Sequence, residues 1–535
     1  MTETPSAKRP AAPVPRKKPV SFLRVLWELR QNPIAAFGEG AYRLPLVHLK
    51  SRIRDFLLVN EPGAIRHVLL DNAANYIKSD QVQRLTRPAL GNGLLNAEGA
   101  SWRFQRRTAA PIFQMRHVAN FAPAMAAAAA GMLARWDSLD DGASIDVADE
   151  MMRLAYDIIS RTVFSGDVTM DYARMSKALL TYLETLGRID MLGLLGLPRW
   201  VPTPDRLRAE PALRYFRREM QALIERRKGV LARDAAAVPN DLLTLLLSAH
   251  DPEGGALFSA REVFDNVMTF VFAGHETTAN ALAWTLYLLS QFPDAEAQLA
   301  REVAAVDDAK MRAGALPQLP FTSAVLEEAM RLYPPAPFIS REAVAADMVG
   351  GVAIKPRTSV LISTWILHRH RLLWQRADEF DPARFLPPQR DSIPRFAYLP
   401  FGAGPRVCIG MGFAMQEAMI VLAAVARRFR LELEPGQVAY CFLHRRATLD
   451  SLGKHLGMID GTHQARVNVS PDDICPLLTE KHGEDSRGVE DSATHDFPRP
   501  PLGAVPGSTH RRHFLQAACT GRNNPALPQS RGEAA

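Results

Sequence analysis

The sequence predicts a mainly α-helical protein with a smaller β region. Three observations carry this. From Ala100 to Ala235 apolar residues recur at three-to-four spacing, the period of an amphipathic helix. Arg261 to Ser290 is apolar nearly all round, which suits a helix at the centre of a molecule. Strand-like pieces are short and confined to the region of Phe56 and to Val344–Val360.

The elements follow in order. Residues 1–20 combine Pro with Lys8, Arg9, Arg16, Lys17 and Lys18 against one acid, Glu3, and predict a disordered basic arm. Residues 21–35 read as a short lead-in helix. The run from Phe56, FLLVNEPGAIRHVLL, reads as a strand, a turn at Pro62-Gly63 and a helix. The long helical region and the central helix come next. Gly350-Gly351 then marks a hairpin-like turn among the strand pieces. After Glu434–Gln437 the pattern breaks. Residues 438–535 hold half of the 14 histidines and three of the 4 cysteines, Cys441, Cys475 and Cys519, with no strand pair in view. They predict a disordered tail. An appendage, a regulatory extension or a reading frame shifted from about Val438 would each produce it, and composition favours the last.

Bulk properties bound the function. The chain has 535 residues, 47% hydrophobic and 23% charged, enough for a large buried core. The net charge of +7 arises partly in the arm, and a nucleic-acid partner is not expected. No run of 18 apolar residues predicts a transmembrane anchor, and the N-terminus lacks a secretory apolar core. Few cysteines and no disulfide framework suit a reducing cytoplasm.

The most informative stretch is FGAGPRVCIG, Phe401 to Gly410. It sets Cys408 after a Gly-rich turn and before a helical stretch. Backbone N–H groups and the positive end of a helix stabilise a thiolate there. Gly402, Gly404 and Gly410 remove side chains where a flat ligand would press on backbone. Arg406 adds a fixed positive charge two residues away. A flat anionic ligand held by an axial cysteine is haem. Within the central helix, AGHETT spans Ala273 to Thr278. Gly274 and Thr277 share a face, and the Thr277 hydroxyl can reach the carbonyl of Ala273. His275 reads as a surface or pocket-wall residue. Glu328 and Arg331 stand at i, i+3 before Pro334-Pro335, and FDPARF with Arg384 follows.

Phe401, Gly402, Gly404, Arg406, Cys408 and Gly410 together resemble the haem-binding signature of the cytochrome P450 monooxygenases, of the soluble bacterial type. The resemblance runs from about Phe37 to about Gln437. It implies one large domain, residues 21–437, with haem b between the central helix and the Cys-bearing loop. Cys408 would be the axial ligand of the iron. Glu276 and Thr277 would be the acid–alcohol pair that delivers protons to bound O2. Glu328, Arg331 and Arg384 would form a structural charge cluster locking the loop that presents Cys408. Trp102, Arg106, Arg341, Arg406 and His368 would hold the haem propionates. Phe270, Ala273, Phe338 and Ile339 would face the substrate, roofed by the loop Val82–Leu95 and by Leu183–Leu197.

The activity implied is insertion of one oxygen atom of O2 into a hydrophobic small molecule. Electrons would come from a separate ferredoxin or flavodoxin with its reductase, since no dinucleotide fingerprint occurs. That partner would dock on the cysteine side near Arg103, Arg107 and Arg406. The protein would be a monomer. A peroxide-driven peroxygenase and a decayed haem protein are the rival readings. The Glu276-Thr277 pair speaks against the first, and the unusual tail speaks for the second.

Overall fold

A computed structural model describes residues 9–18, 24, 28, 32–50, 54–167, 174, 178, 204–316, 318–434 and 440–445. The expected lead-in helix at 21–35, the segment Leu183–Leu197 and the tail beyond 445 lie essentially outside these residues.

The first strands among the described residues are β1 (Leu46–Leu49) and β2 (Phe56–Val59), paired antiparallel. In α1 (Pro62–Arg66) the Glu61 carboxylate accepts from the N–H groups of Gly63 and Ala64 at 2.8 and 2.5 Å, so the expected Pro-Gly turn is the helix's own first turn. Next come β3 (Tyr76–Lys78), α2 (Asp80–Leu90), α3 (Gly99–Ala109), α4 (Ala122–Asp137), β4 (Ser144–Asp146), α5 (Val147–Phe164) and α6 (Pro204–Arg233). The central helix is α7 (Ala260–Gln291), begun by a capping box between Ser259 and Glu262. Then follow α8 (Pro320–Leu332), β5 (Ile339–Ala343), β6 (Asp347–Val349), β7 (Val352–Ile354), β8 (Ser359–Ile362), α9 (Met411–Arg428), β9 (Phe429–Leu433) and β10 (Tyr440–Arg445).

The β region has one sheet of order β1-β2-β8-β5-β3, another of order β4-β10-β9, and the β6–β7 hairpin. The main core joins α4, α5, α7, α8 and α9, with Trp284 of α7 stacked on Tyr333 at 4.0 Å between ring centroids. The helical stretch Met115–Asp137 is long and apolar enough to cross a membrane by composition, yet 50% of its most apolar window is buried against protein.

Four expectations are corrected. The helical pattern of Ala100–Ala235 is interrupted by β4, whose Ile145 pairs with Cys441 of β10. The expected loop Val82–Leu95 is largely α2, because Ser79 caps it and Asp80 suits its first turn. The arm is ordered over residues 9–18. Tyr333 donates its hydroxyl to the Ala11 carbonyl at 2.7 Å, the Tyr287 hydroxyl accepts from Ala11 N–H at 3.4 Å, and Arg16 pairs with Glu28 at 2.7 Å. Proline lowers the entropy of the free segment, so few bonds suffice to hold it. Finally, the domain does not stop at 437: Tyr440–Arg445 fills the place between β4 and β9, register Leu443 to Leu431. That pairing is long-range, and local composition does not reveal it.

Candidate active site

Helix α7 is buried along most of its length, but Ala273 and Thr277 keep exposed surface in its middle. They stand one turn apart on one face. Since the helix lies inside the molecule, that surface belongs to an internal cleft. The Thr277 hydroxyl donates to the Ala273 carbonyl at 2.7 Å, as the spacing predicts. Glu276 lies alongside, and burial pushes its carboxyl up to about 7. Two neighbours behave differently from expectation. A Cβ at Gly274 would stand 3.6 Å from Ile159 of α5, so this glycine faces a packed helix and not the cleft beside Thr277. His275 is buried, with Nε2 at 2.9 Å from the Met152 carbonyl and its ring edge-on to Tyr156 at 6.4 Å. Burial pulls it down to about 4, so it is a neutral packing residue of α5's neighbourhood, not a pocket wall.

Cys408 sits just before α9, and its N–H donates to the Phe401 carbonyl at 2.9 Å. Its side chain retains exposed surface although protein surrounds it, the signature of a group facing an enclosed cleft. Burial raises its thiol pKa, while the Gly410 N–H and the Arg106 guanidinium of α3 pull it back. The loop is pinned from outside: Gly404, at φ +70°, has no room for a side chain because a Cβ would collide with the Leu69 carbonyl. Protein backbone, not a flat ligand, accounts for that glycine. A Cβ at Gly410 would meet open space. Ile409 packs on the cluster that contains Val267, Val271 and Phe270 of α7, which brings the cysteine loop to the central helix.

A group of cations lies on another wall. The Arg406 guanidinium stands 4.5 Å from the Trp102 ring centroid, donates to the Ala97 carbonyl at 3.0 Å and pairs with Glu98. Strand register places Lys78 of β3 across from Arg341 of β5. Burial and the Arg406 charge lower Arg341 to about 10. Burial, Arg341 and Arg406 lower Lys78 to about 7, against the pull of Glu98. Lys78 and Glu98 were missed from sequence, since no motif connects them to residues some 300 positions away.

His368 does not join this group. It is fully buried, and its Nε2 accepts from the Leu399 N–H at 2.9 Å, while burial pulls it down to about 3. It holds the segment that leads into the cysteine loop. The charge cluster around Glu328 lies nearby, and Glu328 and Arg331 are both 0% exposed. Arg331 binds the carboxylate bidentately at 2.6 and 2.7 Å and donates to the carbonyls of His368, Ala377 and Glu379. Glu328 also accepts from the Asp381 N–H at 2.9 Å, with Arg384 farther off at 3.5 Å. Next door, Glu327 binds Arg390 at 2.6 and 2.8 Å, and its carbonyl accepts from Tyr398 at 2.8 Å.

Apolar side chains of the predicted pocket set complete the surroundings. Phe270 meets Phe113 edge-on at 5.1 Å, Phe338 meets Phe37 at 6.1 Å, and Ile339 lies close to Gly402. The expected basic docking trio is not assembled. Arg107 is tied to Asp251 and Glu253, each at 2.8 Å, and Arg406 turns inward, which leaves Arg103 exposed alone.

These residues fit haem. The cleft offers an accessible thiol at a helix N-terminus, a small-residue strip on the central helix, and enclosed cations in excess of carboxylates.

Comparison with known proteins points the same way. A cytochrome P450 family model matches residues 15–449. Cyclooctatin synthase of Streptomyces melanosporofaciens is 36% identical over 78% of this chain and 87% of its own length. Pentalenene oxygenase of Streptomyces avermitilis is 32% identical over 76% of this chain and 89% of its own. Cyclooctat-9-en-7-ol 5-monooxygenase of Streptomyces melanosporofaciens is 32% identical over 71% and 81%. This chain belongs to the cytochrome P450 family and is a haem-dependent monooxygenase that uses O2.

Proposed function

We propose that the protein oxygenates a hydrophobic, unsaturated hydrocarbon skeleton or an alcohol derived from one, with haem b held by Cys408. The reading of Cys408 rests on one observation: its thiol is both enclosed and accessible, at the start of α9 and under the charge of Arg106. Haem, when bound, supplies the activation of O2 and the transfer of one oxygen atom. The side chains supply the rest. Trp102, Arg106, Arg341 and Arg406 take the carboxylates and the negative charge of the ring system. Thr277 spends its proton on Ala273, so its oxygen lone pairs turn to the cleft as an acceptor. Glu276, whose carboxyl burial raises to about 7, can keep a proton at neutral pH and pass it toward that hydroxyl. Phe113, Phe270, Ala273, Phe338 and Ile339 exclude water and orient an apolar substrate.

The substrate class is supported by the names of the relatives, an alkene and an unsaturated alcohol, and by the apolar walls. Electrons come from a separate ferredoxin or flavodoxin. Exposed Arg103 and Arg116, with exposed Leu70, Met115 and Met411, form the surface we assign to it. A cytoplasmic monomer suits this arrangement.

The test is spectroscopic. The reduced, carbon-monoxide-bound protein should show the Soret band that gives the family its name, and Cys408→Ser should lose haem or move the band to the blue. An unchanged spectrum in that variant sinks the assignment. Titration with alkene hydrocarbons should shift the ferric Soret band, whereas charged ligands should not.

A further inference from the structure

One carboxylate that the chemistry above does not use gathers four donors. Asp347 opens β6, and its Oδ2 accepts from the Tyr76 hydroxyl at 2.6 Å and from the Asn72 side-chain amide at 2.9 Å, and lies 2.8 Å from Nε2 of His67. Its Oδ1 accepts from the Met348 N–H at 2.7 Å. Burial disfavours its charge, but the bonds from Tyr76, His67, the Met348 N–H and Asn72 outweigh that and hold the carboxyl well below the usual carboxylate range. An ionised carboxylate only accepts, so His67 donates its Nε2–H.

Two of these partners bracket a single turn. Helix α1 runs into a π-helical turn, His67–Asp71, closed by the Asn72 N–H on the His67 carbonyl at 2.8 Å. Turns of this width are rare and concentrate at functional sites. His67 begins the turn and Asn72 follows it, so Asp347 grips both ends, while Tyr76 ties the carboxylate to β3. The middle of the turn reaches the cysteine loop. Leu69 is buried, and its carbonyl is the group that a Cβ at Gly404 would strike, with the Leu70 Cα 3.5 Å from the same point. The tight turn Gly404–Arg406 packs on His67–Asp71, and through it the chain arrives at Cys408. Asp347 is thus joined to the sulfur's own loop by two hydrogen bonds, one turn and one backbone contact.

We propose that Asp347 is a positioning residue for Cys408: by clamping the turn His67–Asp71 it buttresses Gly404 and fixes how the loop presents the sulfur. The proposal rests on the haem–thiolate reading above. The Gly410 N–H bonds the Cys408 sulfur in the clamped loop. A loop that relaxed would lengthen that bond. More charge would then stay on the thiolate, which favours ferric over ferrous iron and makes the sulfur easier to protonate.

The test uses the haem-loaded protein. It measures the ferric–ferrous midpoint potential, the rate at which the reduced, carbon-monoxide-bound form passes from thiolate to thiol ligation, and Tm. Asp347→Ala should lower the potential and speed that passage about tenfold, the change expected for loss of one hydrogen bond to a charged group. Asn72→Ala frees one end of the turn and should move both readings the same way by less. A merely structural defect would lower Tm and leave the potential of the loaded protein unchanged. That result in Asp347→Ala would overturn the proposal while leaving the thiolate spectrum, and so the parent reading, intact. A raised potential would overturn it as well. If Asp347→Ala does not accumulate with haem, Asn72→Ala decides: a lowered potential supports the positioning role, and a wild-type potential overturns it. A wild-type protein without the thiolate spectrum would overturn the parent reading instead.

Discussion

Two groups of enclosed charge in this protein are built on opposite plans. Around Arg331, every strong donor has a partner: two carboxylate oxygens of Glu328 and three backbone carbonyls. The group is dry and complete. Around Arg341 and Lys78 the guanidinium and ammonium lack carboxylate partners among the described residues, and the surface they keep is internal. A buried ion pair that satisfies itself can hold a fold, because breaking it strands a charge in a dry place. A group that does not satisfy itself is built for something that arrives. The contrast separates structural from binding charge without reference to any motif.

The largest test of this contrast is Glu328→Ala or Arg331→Ala. Either leaves its partner stranded, and the expected loss is roughly 3–5 kcal/mol. That is a large part of a typical stability of roughly 5–15 kcal/mol. Little soluble haem protein should accumulate, and calorimetry on what does should show a strongly lowered Tm. A normal melt would mean that the lock is not needed.

The next test touches the open side of the central helix. Thr277→Ala removes a hydroxyl that the cleft exposes and the fold does not require, so Tm should hold. Product formed per reductant should fall about 10²-fold, with the difference appearing as hydrogen peroxide. Wild-type coupling in this variant would remove Thr277 from proton delivery.

Much of this was legible beforehand, for a physical reason. Cys408 lies in one ten-residue run, and Thr277 with Ala273 and Glu328 with Arg331 are pairs within four positions of one another, so local spacing marks them. The α-rich fold was legible because α7 is apolar all round and the hairpin glycines sit between β6 and β7. Misreadings arose where partners are distant. Lys78 meets Glu98 and Arg341 only through strand pairing, Gly274 answers to Ile159, and His368 answers to Leu399. The arm looked disordered because composition cannot show that Tyr287 and Tyr333 wait for Ala11.

A third buried ionisable group sharpens the comparison, because it has neither kind of partner among the described residues. Glu417 of α9 is 1% exposed, and burial pushes its carboxyl up to about 8. The folded protein therefore keeps a proton that the unfolded chain releases at ordinary carboxylate pH. Below the unfolded value both states are protonated and stability is undiminished. As pH rises toward 8 the unfolded state binds fewer protons, so stability falls. Glu417→Gln should remove this fall. The variant should gain on wild type between pH 5 and pH 8, by roughly 3–4 kcal/mol at the upper end. Parallel denaturation midpoints across that range would show that Glu417 titrates normally.

The smallest effect should come from the closest neighbour of the lock. Glu327 and Glu328 are consecutive, and each holds an arginine bidentately, so sequence and bond lengths make them look alike. Their solvent differs. Arg390 is 49% exposed where Arg331 is 0% exposed. Water already meets the Arg390 half of the outer pair, while the Glu327 side chain is 12% exposed and not sealed off as Glu328 is. Exposed pairs contribute roughly 0–1 kcal/mol, and salt weakens them. Arg390→Gln should therefore shift stability by no more than about 1 kcal/mol, and most of that should vanish in concentrated salt. Part of any remainder belongs to the Arg390 contact with the Phe385 ring at 5.9 Å, which Gln would also give up. Chemical denaturation of the two variants side by side, at low and high salt, reads the difference directly. Equal losses for Arg390→Gln and Arg331→Ala would mean that burial is not what separates the two pairs.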